Sequence, residues 1–309
     1  MTGMSANLEN SAEIVPLVQV NDFGAGWNAD QARQCCADLE RGGILFFHDI
    51  PYELAPPDIE FLLSYAARDS RFHKNVSYRP AEDVLRGFDG DDESGRRTHQ
   101  IMRNYSRSVT SFVARLLAPY AIGWSLDYAS FRPLEEAGRA LPLHKRNDLL
   151  HVDAFPSRPT HGGRILRVFT NLSPQRPRVW NAGLSFAGLA ERYARVAGVQ
   201  DYARSSPSFW QRMACSLRLA PDRSPYDRFM LHFHHWMKEN AELQSTLPRR
   251  HVEFPSNSTW LVFTDGVPHA VMSGQFALEQ TFIVPIEAMV TPEASPLRVL
   301  ERLSGAQLA

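Results

Sequence analysis

Apolar positions recur along the chain with two periods, one near 3.6 residues and one near 2, and the change between them marks out the elements. Residues 1–13 show neither and read as a loose tail. IVPLVQV (14–20) alternates weakly and predicts a first strand. In WNADQARQCCADLERGG, Ala32, Cys35, Cys36 and Leu39 form one stripe, Asn28 or Asp30 can cap it, and Gly42-Gly43 ends it, so a helix is expected. Ile44–Phe47 reads as a short buried strand, and Pro56-Pro57 starts a helix through about Ala67. FHKNVSYRPAEDVLRGFDGDDESGRR (72–97) is polar, charged and Gly-bearing and predicts an exposed, mobile loop. Ile101, Tyr105, Val109, Phe112 and Leu116 then give His99–Tyr120 a helical period, suited to packing outside a sheet.

The strand rhythm resumes at WSLDYASF (124–131) and continues over 148–154 and RILRVFTNL (164–172). PQRPRVWNAG reads as a turn-rich segment. From about Leu184 to Leu243 the pattern turns helical, in FAGLAERYARVAG, PSFWQRMACSLRL and YDRFMLHFHHWMKENAEL, which predicts a helical insertion inside a barrel. Strand signals return at HVEF (251–254), TWLVFTD (259–265), HAVMS (269–273) and ALEQTFIVPIEA (277–288). No internal repeat interrupts this order.

Composition narrows the classes. A chain of 309 residues, 44% hydrophobic and 22% charged, can bury a sizeable core. A net charge of -1 gives no global attraction to nucleic acid. The local basic pairs Arg96-Arg97, Lys145-Arg146, Arg176 with Arg178, and Arg249-Arg250 read mostly as solvated faces. The cysteines, Cys35, Cys36 and Cys215, make neither a disulfide framework nor a zinc pattern, which fits a reducing compartment. The polar N-terminus lacks a secretory signal and no apolar run is long enough to span a membrane, so a cytoplasmic location is expected.

The chemistry centres on His151-Val152-Asp153. A His and an Asp two apart on a strand point to one face. With His269, downstream in TWLVFTDGVPHAV, they make a two-His-one-carboxylate triad, the usual holder of catalytic non-haem Fe(II). A second His-x-acid pair, His251-Val252-Glu253, lies too close to His269 for the strands that separate such ligands, and reads as a surface strand start. Three protein ligands leave positions for a bidentate 2-oxo acid and for O2. The distal carboxylate of 2-oxoglutarate then needs a cation, and arginine's planar fork suits it. Nothing basic lies between His269 and Arg298, so the last strand offers no such anchor. Arg164 and Arg167, on the strand after Asp153, are the candidates. Only one can point inward, and Arg167, which shares a face with Phe169 and Asn171, is preferred; the plain alternative for both is a salt bridge at a strand end. Gln280 or Thr281 on the last strand can add a neutral hydrogen bond.

Two other clusters invite a metal and do not hold one on this reading. His232, His234 and His235 in HFHHWMKEN lack a completing tetrahedral set and read as partly buried structural histidines. Asp89, Asp91 and Asp92 lack the glycine and terminal glutamate of a calcium loop.

LPLHKRNDLLHVDAFPSRPTHGGRILRVFTNLSP, followed by VFTDGVPHAVMSGQFALEQTFIVP, resembles the Kdo 3-hydroxylase family. These are Fe(II)/2-oxoglutarate dioxygenases acting on 3-deoxy-D-manno-oct-2-ulosonic acid (Kdo) in the inner core of bacterial lipopolysaccharide. The resemblance extends over nearly the whole chain, including YDRFMLHFHHWMKEN. It implies an α+β protein with a double-stranded β-helix (jelly-roll, cupin-like) core, flanking N-terminal helices and a helical insertion at about 184–243, all in one domain over 1–309. It implies Fe(II), 2-oxoglutarate and O2, with His151, Asp153 and His269 as metal ligands. It also implies hydroxylation of Kdo-lipid A at C3 of Kdo, giving D-glycero-D-talo-oct-2-ulosonic acid. On that basis His144, Lys145 and Arg146, just upstream of the metal strand, are candidates to meet the sugar carboxylate or lipid A phosphates. A lipid-linked substrate further implies peripheral contact with the inner membrane, with 72–97 as the candidate contact.

Two rivals share parts of this pattern. One is a 2-oxoglutarate hydroxylase of another substrate. The other is a metal-binding cupin without oxygenase activity, which would usually hold its metal with more histidines.

Overall fold

The computed structural model describes residues 14–68, 72–88, 92–205, 213, 217 and 221–309. The expected tail at 1–13 and most of the expected helix at PSFWQRMACSLRL lie outside the described residues, as does Cys215.

The N-terminal part follows the apolar stripes. Strand β1 (Leu17–Gln19) pairs in parallel with β2 (Ile44–Phe47), and α1 (Ala29–Glu40) runs between them. Asn28 caps α1 by accepting from the amides of Asp30 and Gln31, while the Gln31 side chain accepts from the Asn28 amide. Cys35 and Cys36 are free and buried, and burial pushes both thiols up to about 12, so they act as small apolar groups. Helix α2 (Pro56–Arg68) follows. Of the segment expected to be a mobile loop (72–97), residues 72–88 are instead a hairpin, β3 (Phe72–Arg79) with β4 (Val84–Phe88). Helix α3 (Glu93–Leu116) starts earlier than its apolar period, because Asp92 caps it by accepting from the amide of Gly95.

The rest builds two facing sheets. Strands β5 (Ser125–Arg132), β6 (Arg164–Asn171), β9 (Thr259–Phe263) and β11 (Ala277–Val284) complete an eight-stranded sheet of order β1-β2-β9-β6-β11-β5-β3-β4. Strands β7 (Arg178–Ala182), β8 (Arg250–Phe254) and β10 (His269–Ser273) form the smaller sheet, order β10-β7-β8. Strand β7 occupies the segment that reads as turns in the sequence. The expected strand at 148–154 is reduced to one isolated bridge, His151 with His269, on the edge of the smaller sheet. Between β7 and β8 run α4 (Phe186–Tyr193), α5 (Val199–Arg204), α6 (Pro225–Glu239) and α7 (Ala241–Thr246); α8 (Pro296–Ser304) follows β11. This is the α+β jelly-roll arrangement expected.

Three apolar clusters hold it together, each large side chain contributing about 1.5–3 kcal/mol when fully buried. Leu166, Val168, Leu261, Phe263, Leu278 and Phe282 leave the large sheet on one face and meet α1 and α3. From the opposite face Phe169 and Trp260 pack on Trp180 and Phe254 of the smaller sheet, closing one end of the interior. The insertion helices and α8 pack around Leu150 and Val152, so they bear directly on the His151–Asp153 segment.

Candidate active site

The backbone sets the ligands. The His151 amide donates to the His269 carbonyl at 3.1 Å and the His269 amide donates to the His151 carbonyl at 2.9 Å. This reciprocal pair puts the two rings side by side, centroids 4.7 Å apart. Asp153 is held by its amide, which donates to the Thr264 carbonyl at 2.8 Å. Nδ1 of His151 lies 2.7 Å from the Leu149 carbonyl, and Nδ1 of His269 lies 2.9 Å from the Val267 carbonyl. A carbonyl only accepts, so each Nδ1 carries the proton and each Nε2 keeps its lone pair for an ion. His269 also stacks on Trp180, centroids 5.0 Å apart and planes 21° apart.

A third imidazole arrives from the insertion. His234 on α6 donates from Nδ1 to the Val152 carbonyl at 2.7 Å, which frees its Nε2 in the same way. The ligand atoms of His151, Asp153 and His234 all lie within 4.8 Å of one another. That grouping takes in His234 and leaves out His269, whose ring lies against that of His151. The structural reading of the histidine cluster holds for His232, stacked on Tyr202, and for His235, stacked on His144. His234 differs in lying among the candidate ligands, a position that depends on an approach of chain segments far apart in sequence.

This donor set fits a divalent metal such as Fe(II). Asp153 Oδ2 is buried with no hydrogen-bond partner. Burial lowers all three imidazole pKa values, His151 well below the usual range and His234 to about 4, so the rings are neutral and their lone pairs available. Burial alone would raise the Asp153 carboxyl, but the Arg167 guanidinium, helped by a side-chain hydrogen bond from Thr264, outweighs it and holds it well below the usual range.

Beside the ligands runs a chain of alternating charges. Arg167 Nη1 lies 3.4 Å from Asp153 Oδ2 and 3.1 Å from Glu279 Oε1, and Arg132 Nε donates to Glu279 Oε2 at 2.8 Å. Burial would raise the Glu279 carboxyl, and Arg132 and Arg167 bring it down instead. Arg167 Nε is buried without a partner, so this guanidinium keeps a donor to offer a ligand carboxylate. Thr281 stands opposite Arg167 across the β6–β11 ladder and shares its face. Gln280 stands opposite Val168 and turns to the other face, where its carbonyl accepts from Ser106 on α3 at 2.8 Å. Strand alternation thus removes Gln280 from the face that carries Arg167 and Thr281. Arg164 is also on that other side, its Nε donating to Asp265 at 2.7 Å and its guanidinium 4.1 Å from the Phe263 ring centre. It is a buried structural ion pair.

The three basic candidates upstream sit at the surface. His144 is hydrogen-bonded to Glu239 at 2.5 Å, Arg146 pairs with Asp148 through both Nε and Nη2, and Lys145 is exposed. His144 stacks on His235, the neighbour of His234, so this turn borders the insertion beside the ligands. Sequence reasoning missed His234, Arg132 and Glu279. For Glu279 a signal existed, since it lies two residues from Thr281 on the same strand face. Within the candidate contact segment 72–97, residues 72–88 form the hairpin β3–β4 rather than a loop.

A family model described as 3-deoxy-D-manno-oct-2-ulosonic acid (Kdo) hydroxylase matches residues 24–307. The Kdo hydroxylase KdoO, a non-heme Fe(II) α-ketoglutarate-dependent dioxygenase crystallised with α-ketoglutarate and Fe(III), is 34% identical, with a TM-score of 0.82 over 95% of this chain and 97% of that one. Its apo structure is 35% identical and its complex with succinate and Fe(III) 34%, with TM-scores of 0.82 and 0.81 and the same coverage. The comparison with curated proteins finds no match. Matched from near one end to the other by the family model and by these structures, the chain belongs to the Kdo hydroxylase family.

Proposed function

We propose that this protein hydroxylates Kdo at C3, on the Kdo-lipid A of the lipopolysaccharide inner core, using Fe(II), 2-oxoglutarate and O2. The family match over residues 24–307 carries the reading, and the donor set at His151 supports it. His151, Asp153 and His269 would hold the metal. When bound, Fe(II) with 2-oxoglutarate and O2 supplies an oxidant able to attack an unactivated C–H bond.

The chain's own residues do the rest. The reciprocal His151–His269 backbone bonds set the two residues side by side, and the Nδ1 tethers to main-chain carbonyls aim their rings. Arg167 offers its unpartnered Nε to a carboxylate of 2-oxoglutarate, with the Thr281 hydroxyl beside it. Asp153 and Glu279 keep Arg167 charged and fixed from two sides. Lys145, with His144 and Arg146 around it, would meet the acidic sugar or a lipid A phosphate. No helix among the described residues is long and apolar enough to cross a membrane. Access to a lipid-linked sugar would be peripheral, from the cytoplasmic face. The whole chain acts as one dioxygenase domain, with α4–α7 as an excursion from its smaller sheet.

The test is conversion of 2-oxoglutarate to succinate with Fe(II), with and without Kdo-lipid A, in wild type and His151→Ala. Turnover stimulated by the Kdo lipid, absent in the variant, and yielding a product oxygenated at C3 by NMR is the expected result. Turnover indifferent to the Kdo lipid would keep the oxygenase and discard the substrate. Metal binding with no turnover under any condition would favour a cupin without oxygenase activity.

A further inference from the structure

The insertion helix α6 brings a histidine to the metal ligands that the two-His-one-carboxylate pattern does not require. Its ring lies edge-on to His151, centroids 5.1 Å apart and planes 82° apart. Its Nδ1 is tied to the carbonyl of Val152, the residue between the two ligands, which holds the ring against the stretch of backbone that positions them and leaves Nε2 with its lone pair. The helix behind it is firmly seated. Ser224 and Asp227 cap it reciprocally, the Asp227 carboxylate also accepts from the amides of Thr160 and His161, and Phe229, Phe233 and Met237 are buried. Two atoms bound to one ion at about 2.1 Å each stand about 3 Å apart when adjacent. The ligand atoms of His151, Asp153 and His234 lie within 4.8 Å of one another, and the His269 ring stands 4.7 Å from that of His151, so ring movements can close all four on one ion.

We propose that His234 is a fourth protein ligand of the metal before cosubstrate and substrate bind, and so caps the resting site. The proposal rests on the metal-site reading above. Coordination counting then gives the cap a consequence. Four protein ligands on an octahedral ion leave two positions, enough for a chelating 2-oxo acid and none for O2. His234 must leave before the reaction can proceed, and binding of the sugar beside α6 is the event placed to release it. The insertion thereby ties use of O2 to the presence of substrate.

The experiment uses the full-length protein loaded anaerobically with Co(II). X-ray absorption counts the imidazoles on the ion, and calorimetry gives the Co(II) affinity, in wild type, His234→Ala, His234→Gln and His151→Ala. His234→Gln keeps a donor for the Val152 carbonyl, and circular dichroism confirms that each variant is folded. Expected are three imidazoles in wild type, two in both His234 variants, and Co(II) binding weakened roughly tenfold or more in them. With 2-oxoglutarate and Kdo-lipid A present, the wild-type count should fall to two. An unchanged count and affinity in both His234 variants would overturn the ligand assignment. A count of three that persists with both small molecules bound would overturn the release. If wild type takes no Co(II), or His151→Ala binds it as tightly as wild type, the metal-site reading itself fails, a result distinct from either.

Discussion

At the scale of single residues, the two arginines of β6 show how position decides role. They lie three apart, so a strand sends them to opposite faces. Arg167 enters the interior beside Asp153, and Arg164 enters the helix-covered layer beside Asp265. Replacing Arg167 with lysine keeps the charge and loses the fork, so KM for 2-oxoglutarate should rise about tenfold, equivalent to about 1.4 kcal/mol; initial-rate kinetics check this. Arg164→Ala should leave that KM unchanged at temperatures where the variant is folded. It should cost about 3–5 kcal/mol of stability by urea unfolding, because Asp265 is left buried without its cation. The parity of 164 and 167 is visible in the sequence, as is the His151-x-Asp153 spacing. The partners are not. Asp265 and Glu279 meet their arginines only once β6, β9 and β11 are aligned, and His234 meets Val152 only once the insertion has folded back.

At the scale of elements, the strands with a full apolar face under the helices were legible, and the short or polar-faced ones were not. β6, β9 and β11 carry hydrophobic side chains toward α1 and α3, and their Leu, Val and Phe positions announce them. The hairpin β3–β4 pairs Ser77 with Arg86 and Tyr78 with Leu85, so one face is polar and the apolar alternation that marks a strand is weak. β7 hides for another reason. Only five residues long, it is flanked by Pro and Gly, which suggest turns, yet Arg178, Trp180 and Ala182 all bury inward. The apolar face of β9 should dominate the energetics: Phe263→Ala is expected to cost about 3–5 kcal/mol, read from the urea midpoint. The cap of α6 should matter locally. Asp227→Ala removes an acceptor used by Ser224, Thr160 and His161, and hydrogen exchange over 225–239 should accelerate well beyond that in α1.

For the whole molecule, metal and acidity should act on stability through the same few groups. An ion that binds the folded site alone stabilises by about 2.7 kcal/mol at a hundred times its Kd, so chelation should lower the melting temperature and Co(II) restore it, while His151→Ala should show neither response. In the metal-free protein, Asp153 and Glu279 are carboxyls held below their ordinary values. Their contribution is fully present above the unfolded carboxylate pKa, about 4. It is lost as pH falls from there through the lower folded values. Urea midpoints measured with chelator from pH 7 to pH 3 should fall across that range, and less steeply in Glu279→Gln.

The tethers on the histidines carry a last implication, about mutation. His151 and His269 each bond Nδ1 to the carbonyl two residues earlier in their own chain. A carbonyl belongs to every amino acid, so no single substitution at Leu149 or Val267 can delete the acceptor. Drift at those positions leaves the aim of both rings intact. A family can therefore change much of the lining around its metal, and with it the choice of substrate, while the orientation of the ligands is inherited through the main chain.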